Sequence, residues 1–146
     1  GVQVIIVREG DTTIAGTNDD LQLVDADGNV LEDIQIGVQR GTTGEIYCQD
    51  AHGVDHVTSL DNGSVAVQAL LNDQVDCVVI DNGPAQEYVA ATPGLEILEA
   101  SYVTEQYCAA VDEGNTSLLN AINTALNELI EDGTVQAIMD KYIAAE

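Results

Sequence analysis

The chain has 146 residues and a mass of 15.4 kDa, the size of one domain whose core shields roughly 68–70% of the surface its unfolded form exposes. Three Lys and Arg stand against 26 Asp and Glu, a net charge of −23 with a pI near 4.1. Such a field repels nucleic-acid phosphates and anionic lipid headgroups, and no apolar run approaches the ~20 residues of a membrane-spanning helix, so composition excludes those three roles.

Residues 2–8 are mostly β-branched and apolar, bounded by Gly10 and Asp11, which predicts a strand buried on both faces. The chain opens directly on this run, without an initiating Met, charged leader or cleavage site, and is expected to be a piece of something longer. Thr17 to Leu21 offers cap residues ahead of one helical turn. Asp25-Ala26-Asp27-Gly28-Asn29 is turn chemistry between two short apolar stretches, so a small hairpin is expected. The same acids hint at a calcium loop, but Val30 and Ile36 stand where that loop needs Gly and Glu, and a solvated turn is the reading.

Residues 34–38 form a second predicted strand, followed by the turn Gly41-Thr42-Thr43-Gly44 and a helix from Glu45 to about Ala51. A short strand at 54–60, an amphipathic helix at 64–72 with Val65, Ala69 and Leu70 inward, and a continuous apolar strand at 75–80 come next. This alternation predicts an α/β fold with a mostly parallel sheet flanked by helices. Pro84 opens a further helix that Thr92-Pro93-Gly94 ends, and 95–98 and 106–111 are the last predicted strands. From Asn115 the chain turns into a C-terminal helical pair. Leu118, Leu119, Ile122, Leu126, Leu129 and Ile130 share one face; Gly133 breaks the helix, and Thr134 caps a second with Val135, Ile138, Met139, Tyr142 and Ile143 inward.

Two stretches carry candidate chemistry. In Gly37-Val38-Gln39-Arg40-Gly41-Thr42-Thr43-Gly44-Glu45, a glycine-flanked turn joins a strand to a helix N-terminus. Such a turn aims unpaired N–H groups and the positive end of the helix dipole at an anion. A nucleotide P-loop would need a Lys there, and no Lys occurs before position 141, so a carboxylate suits the turn better than a triphosphate. The second stretch, 75–82, ends a strand on Asp81, at the edge where open α/β sheets bind ligands. Asp81 either caps the helix opened by Pro84 or faces a ligand cation. Arg40, one of three cations, either reaches the ligand, pairs with an acid of its own lobe, or faces solvent.

Cys48, His52 and His56 have the spacing of a helical metal site, but Gly53 interrupts the helix. Cys48 and His52 lie on one helix without an oxyanion hole, unlike a working nucleophile and base. No metal, cofactor or catalytic residue is expected. Cys48, Cys77 and Cys108 are an odd count, too scattered for a disulfide framework. The acidic excess also matches the surface of a protein from a saline source.

Gly-Val-Gln-Arg-Gly-Thr-Thr-Gly-Glu at 37–45, Asp-Cys-Val-Val-Ile-Asp at 76–81, Glu-Gln-Tyr-Cys-Ala-Ala-Val at 105–111, and the helical run from Leu119 to Thr134 resemble the polar amino-acid branch of the periplasmic solute-binding proteins, of type 2 fold. In that family two α/β lobes clamp an amino acid. The resemblance implies hinge strands at 1–8 and 105–111, the second lobe at 9–104, and helices at 112–146 that belong to a first lobe lying upstream of Gly1. It implies that Thr43 and the N–H groups near Thr42 receive the ligand's α-carboxylate, and that Asp81 receives its α-ammonium. The Asp/Asn-rich hairpin near 22–33, and Cys77 and Cys108 where Ala or Gly is common, depart from the family pattern.

The function so implied is the binding component of an amino-acid ABC importer. Its partners are an amino acid and a transporter permease, in the periplasm or outside the cell, with a lipoprotein anchor on the parent. An enzyme of dehydratase type and the sensor domain of a signalling receptor are the alternatives. The first needs a titratable group poised in the crevice, and the second a membrane helix. The exposed faces of the C-terminal helices also predict a homodimer of the piece.

Overall fold

Among the described residues, 1–142 of the computed structural model, the elements run β1 (Val2–Arg8), β2 (Gly16–Thr17), β3 (Leu23–Val24), β4 (Ile36–Gln39), α1 (Thr43–His52), β5 (Val57–Leu60), α2 (Gly63–Leu71), β6 (Cys77–Asp81), α3 (Asn82–Ala91), β7 (Leu95–Thr104), α4 (Thr116–Glu131) and α5 (Thr134–Tyr142). Five strands form one sheet in the order β5-β4-β6-β1-β7, while β2 and β3 pair separately. The α/β sheet is mixed: β4 runs parallel to β5 and β6, and β1 runs antiparallel to both β6 and β7. The expected parallel core is present on the β4 side, and β1 departs from it.

Alternation along the strands builds two cores. Val4 and Ile6 of β1 and Val78 and Ile80 of β6 face α2 and α3, packing on Ala66, Val67, Leu70 and Ala85. Ile5, Val7, Cys77 and Val79 face the other way, with Ile36, Val38, Cys48 and Tyr102. Because both faces are covered, β1 and β6 are apolar almost without interruption, which is why their sequences read so clearly as strands.

Five local expectations change. Val65 is 43% exposed, whereas Ala66 and Val67 are buried: Val65 lies five residues before buried Leu70, roughly 140° around the helix. No helical turn forms at 17–21; the Asn18 side-chain oxygen accepts the N–H groups of Asp20 and Gln22 at 3.0 and 2.9 Å, and Leu21 turns to φ 61°. That local side-chain bonding competes with a helix and turns the chain into a hairpin of β2 with β3 that the sequence does not predict, while the expected hairpin about 25–29 is reduced to a turn closed by the isolated bridge Val24↔Val30. Residues 106–111 form no strand. Instead β7 extends to Thr104, pairing from Arg8↔Leu95 to Val2↔Thr104, and a last bond joins Glu105 N–H to Gly1 O at 2.9 Å. A strand is stabilised only by a ladder partner, and among the described residues none pairs with 106–111. Lastly, α5 starts on Thr134 itself, whose N–H is accepted by the Asp132 carboxylate at 2.8 Å.

The chain divides into two units, Gly1–Glu105 and Gln106–Glu146. In the second, the Asn115 side chain caps α4 by accepting Leu118 N–H at 3.2 Å. Leu118, Leu119, Leu126, Leu129 and Ile130 of α4 and Ile138, Met139 and Tyr142 of α5 are exposed. Ile143, expected to point inward, lies outside the described residues.

Candidate functional site

The mixed topology gathers polar residues at one end of the sheet. Since β4 and β6 are parallel, their carboxyl ends lie together, and Thr42, Thr43 and Asp81 follow from them. Since β1 is antiparallel to β6, its beginning reaches the same end, with Gln3 the ladder partner of Asp81. The final residues of β7 return there too, beside Val2 and Gln3.

Gly41, at φ 75°, makes the turn that ends β4, a conformation costly for a residue with a Cβ. Thr42 is the N-cap of α1: its hydroxyl donates to Gln39 O at 2.8 Å and accepts Glu45 N–H at 3.4 Å. The Glu45 carboxylate turns back to accept Gly41 N–H at 2.6 Å, takes a short hydrogen bond from the Ser59 hydroxyl, and meets the Gln49 amide. Those bonds, Ser59 first and Gly41 next, with Arg40 adding its charge, hold the Glu45 carboxyl below its usual pKa. Thr42 and Glu45 are therefore occupied at the helix start, Glu45 reaching to Gly41 N–H, one residue before the N-cap amide that a Thr-x-x-Glu capping box engages. What remains for a ligand is the Thr43 hydroxyl and the first N–H groups of α1, those of Thr43 and Gly44, which have no intrahelical acceptor.

Gln3 is the buried polar residue of the core, 4% exposed. Its Nε2 donates to Glu105 Oε1 at 2.9 Å, and the Thr43 hydroxyl donates to the same oxygen at 2.9 Å. Gly44 lets α1 approach: a Cβ there would stand 2.9 Å from Gln3 Oε1. Thr43 and Gln3 thus meet at Glu105 beside Gly44, and the ladder partner of Gln3 is Asp81. Asp81, half-buried, caps α3 by accepting Gly83 N–H at 3.2 Å.

Arg40 is drawn elsewhere. Its guanidinium pairs with Asp61 at 3.1 Å and donates to Ser59 O at 3.1 Å. Both partners belong to the β5 edge of the sheet, while Gln3 and Asp81 lie beyond β4 on the other side. Of the three alternatives for Arg40, the structure shows two together, a pair with a nearby acid and a side chain that faces solvent. Arg8, at the other end of β1, donates to Leu70 O and Val75 O and pairs with Asp11 and Asp73.

Cys48, His52 and His56 do not converge. Cys48 is enclosed beneath Tyr102, and burial pushes its thiol up to about 12. His52 Nε2 accepts Leu23 N–H at 3.0 Å, and His56 Nδ1 lies 3.1 Å from Ile34 O. Among the described residues no group of three or more His, Cys, Asp or Glu side chains is arranged to hold a metal, and no helix is long and apolar enough to cross a membrane.

The structure brings Thr42, Thr43 and Asp81, singled out from the sequence, to one end of the sheet, together with Gln3 and Glu105, which the sequence did not single out. Gln3 carried one signal, a lone amide inside an otherwise apolar strand of β1.

A family model described as bacterial extracellular solute-binding proteins, family 3, matches residues 2–145. The L-cystine-binding protein TcyJ of Escherichia coli K12 is 28% identical over 148 residues, spanning 100% of this chain and 51% of that protein. The ABC transporter arginine-binding protein 1 of the same strain is 32% identical over 117 residues, 77% of this chain and 48% of that protein. Among solved structures, an ancestral arginine-binding protein bound to glutamine superimposes with a TM-score of 0.74 at 34% identity, covering 99% of this chain and 60% of that one. The arginine-, lysine-, histidine-binding protein ArtJ from Geobacillus stearothermophilus gives 0.68 at 29%, covering 99% and 59%. The chain spans about half the length of the curated relatives it matches.

Proposed function

The chain belongs to the bacterial extracellular solute-binding proteins, family 3, and from that membership we propose that it is the second lobe, with C-terminal helices, of the substrate-binding component of an amino-acid ABC importer. Residues 1–8 and 105–111 are the proposed crossings to a first lobe, and 112–146 the helices that pack on that lobe. The observation that carries the reading is at the start of α1, where the Thr43 hydroxyl meets a carboxylate, that of Glu105, at the sheet end that also holds Asp81. In the proposed complex, Thr43 and the first-turn amides of α1 bind the α-carboxylate, and Asp81 binds the α-ammonium. With Arg40 held by Asp61, this lobe offers the carboxylate neutral donors and the helix dipole.

The family consists of solute-binding proteins, and the proposed role is binding without catalysis. We place the protein outside the cytoplasmic membrane, anchored by lipid on the full-length form and delivering its ligand to a permease. The relatives' names cite arginine, cystine and histidine, so these and glutamine make the test panel. Calorimetry on the 146-residue chain should give millimolar or weaker dissociation constants, no better than about −4 kcal/mol, because half a clamp cannot bury a small ligand. The full-length protein should bind one member far more tightly. Absence of amino-acid binding by the full-length form refutes the proposal.

A further inference from the structure

We propose that Glu105 is a built-in competitor for the carboxylate site: without ligand, its side chain fills the place of the amino acid's α-carboxylate at Thr43, and binding requires it to withdraw. The proposal rests on reading the start of α1 as that site.

Glu105 Oε1 accepts two hydrogen bonds of 2.9 Å, one from Thr43 Oγ1 and one from Gln3 Nε2. Both donors are neutral, and among the described residues no ion pair joins Glu105 to a cation. Its carboxylate is therefore held as a ligand's would be, by hydroxyl, amide and helix dipole. Gln3 makes the arrangement a built one. Its amide is buried, its Oε1 faces Gly44, and its Nε2 is thereby turned toward Glu105. A buried amide donor needs an acceptor, and a carboxylate at Thr43, internal or external, supplies it. The backbone of Glu105 is fixed by its bond to Gly1 O, so withdrawal needs only a change of side-chain rotamer.

Two carboxylates cannot share these donors, because like charges in contact oppose one another. The apparent dissociation constant is then the intrinsic one divided by the fraction of molecules in which Thr43 is open. A carboxylate tethered beside its donors competes at high effective concentration. If Thr43 is open one-tenth of the time, affinity falls about tenfold. Glu105 is also the last residue of the first unit, so a ligand that displaces it acts on the residue from which the proposed crossing departs.

The test uses amide NMR spectra of the 146-residue chain titrated with sodium acetate at constant ionic strength, reading Thr43, Gly44 and Glu45. In Glu105→Ala the acetate dissociation constant should fall about tenfold, and in Glu105→Gln, which keeps an acceptor but loses the charge, it should fall by less. Thermal melting checks folding, and Glu105→Gln decides alone if the alanine variant is unfolded. Equal acetate affinity in wild type and variants overturns the competitor while leaving the carboxylate site standing. Weaker affinity in the variants makes Glu105 a ligand contact and also overturns it. If acetate shifts no α1 amide in any form, the site itself is misread and the competitor falls with it.

Discussion

Asp81→Asn separates the two jobs that Asp81 is asked to do. As the cap of α3 its Oδ1 accepts Gly83 N–H at 3.2 Å, and Asn keeps that oxygen in the same place, so capping should survive nearly unchanged. As the partner of a ligand ammonium, Asn keeps the shape and removes the charge, leaving the cation incompletely compensated in a site emptied of water. Removing one partner of such a pair costs about 2–5 kcal/mol, a loss of about 30-fold to several thousand-fold in affinity. Asp81→Ala should lose the cap as well, at about 0.5–2 kcal/mol of folding stability. Calorimetry of the full-length protein with its best amino acid, at one pH, measures the first quantity; urea unfolding measures the second. Equal dissociation constants for wild type and Asp81→Asn would remove Asp81 from the site. A large stability loss in Asp81→Asn would refute the account of the cap.

Gly44→Ala puts a methyl group 2.9 Å from the buried Gln3 Oε1, and overpacking of this kind should lower stability by about 1–3 kcal/mol; an unchanged urea midpoint would contradict the close approach. His52 accepts Leu23 N–H, and its pKa is lowered mainly by burial, next by the nearby His56. The neutral ring's contribution is therefore complete above about pH 6.5 and lost as pH falls below it, so acidification from pH 7 should destabilise the wild type relative to His52→Gln; parallel urea midpoints of the two across that range would exclude the effect. The exposed apolar residues of α4 and α5 should drive self-association of the 146-residue chain, closed two-fold dimers being the commonest solution. Sedimentation as a 15.4 kDa monomer that binds no hydrophobic dye would refute this.

The strands and helices that face a core were legible because burial writes itself into local composition. β1 and β6 are covered on both sides and read as unbroken apolar runs. The last two helices were found from a single apolar face, although the second unit leaves much of that face exposed. Where side chains bond to nearby backbone, reading failed: Asn18 takes the N–H groups of Asp20 and Gln22 and turns a would-be helix start into a hairpin. The strand expected at 106–111 failed for another reason. Its composition suits a strand, but pairing depends on a neighbour, and among the described residues no strand lies in register with it.

The candidate site divides along the same line. Thr42 and Thr43 announce themselves, because a helix start is a local event with a local signature. Gln3 and Glu105 do not, since they meet across 102 residues of sequence, and Glu105 meets Thr43 across 62. What joins them is strand direction. A β-α-β alternation suggests parallel neighbours, and a parallel β1 would carry Gln3 to the end of the sheet opposite Asp81. Antiparallel pairing with β6 instead places Gln3 against Asp81, and antiparallel pairing with β7 returns Glu105 to the same edge. Register matters as much as direction. Side chains alternate between the two faces, so a slip of one residue would turn Gln3 from the α1 side into the opposite core. The contact of Gln3 with Gly44 and Glu105 therefore reports the pairing of β1 as directly as the ladder itself.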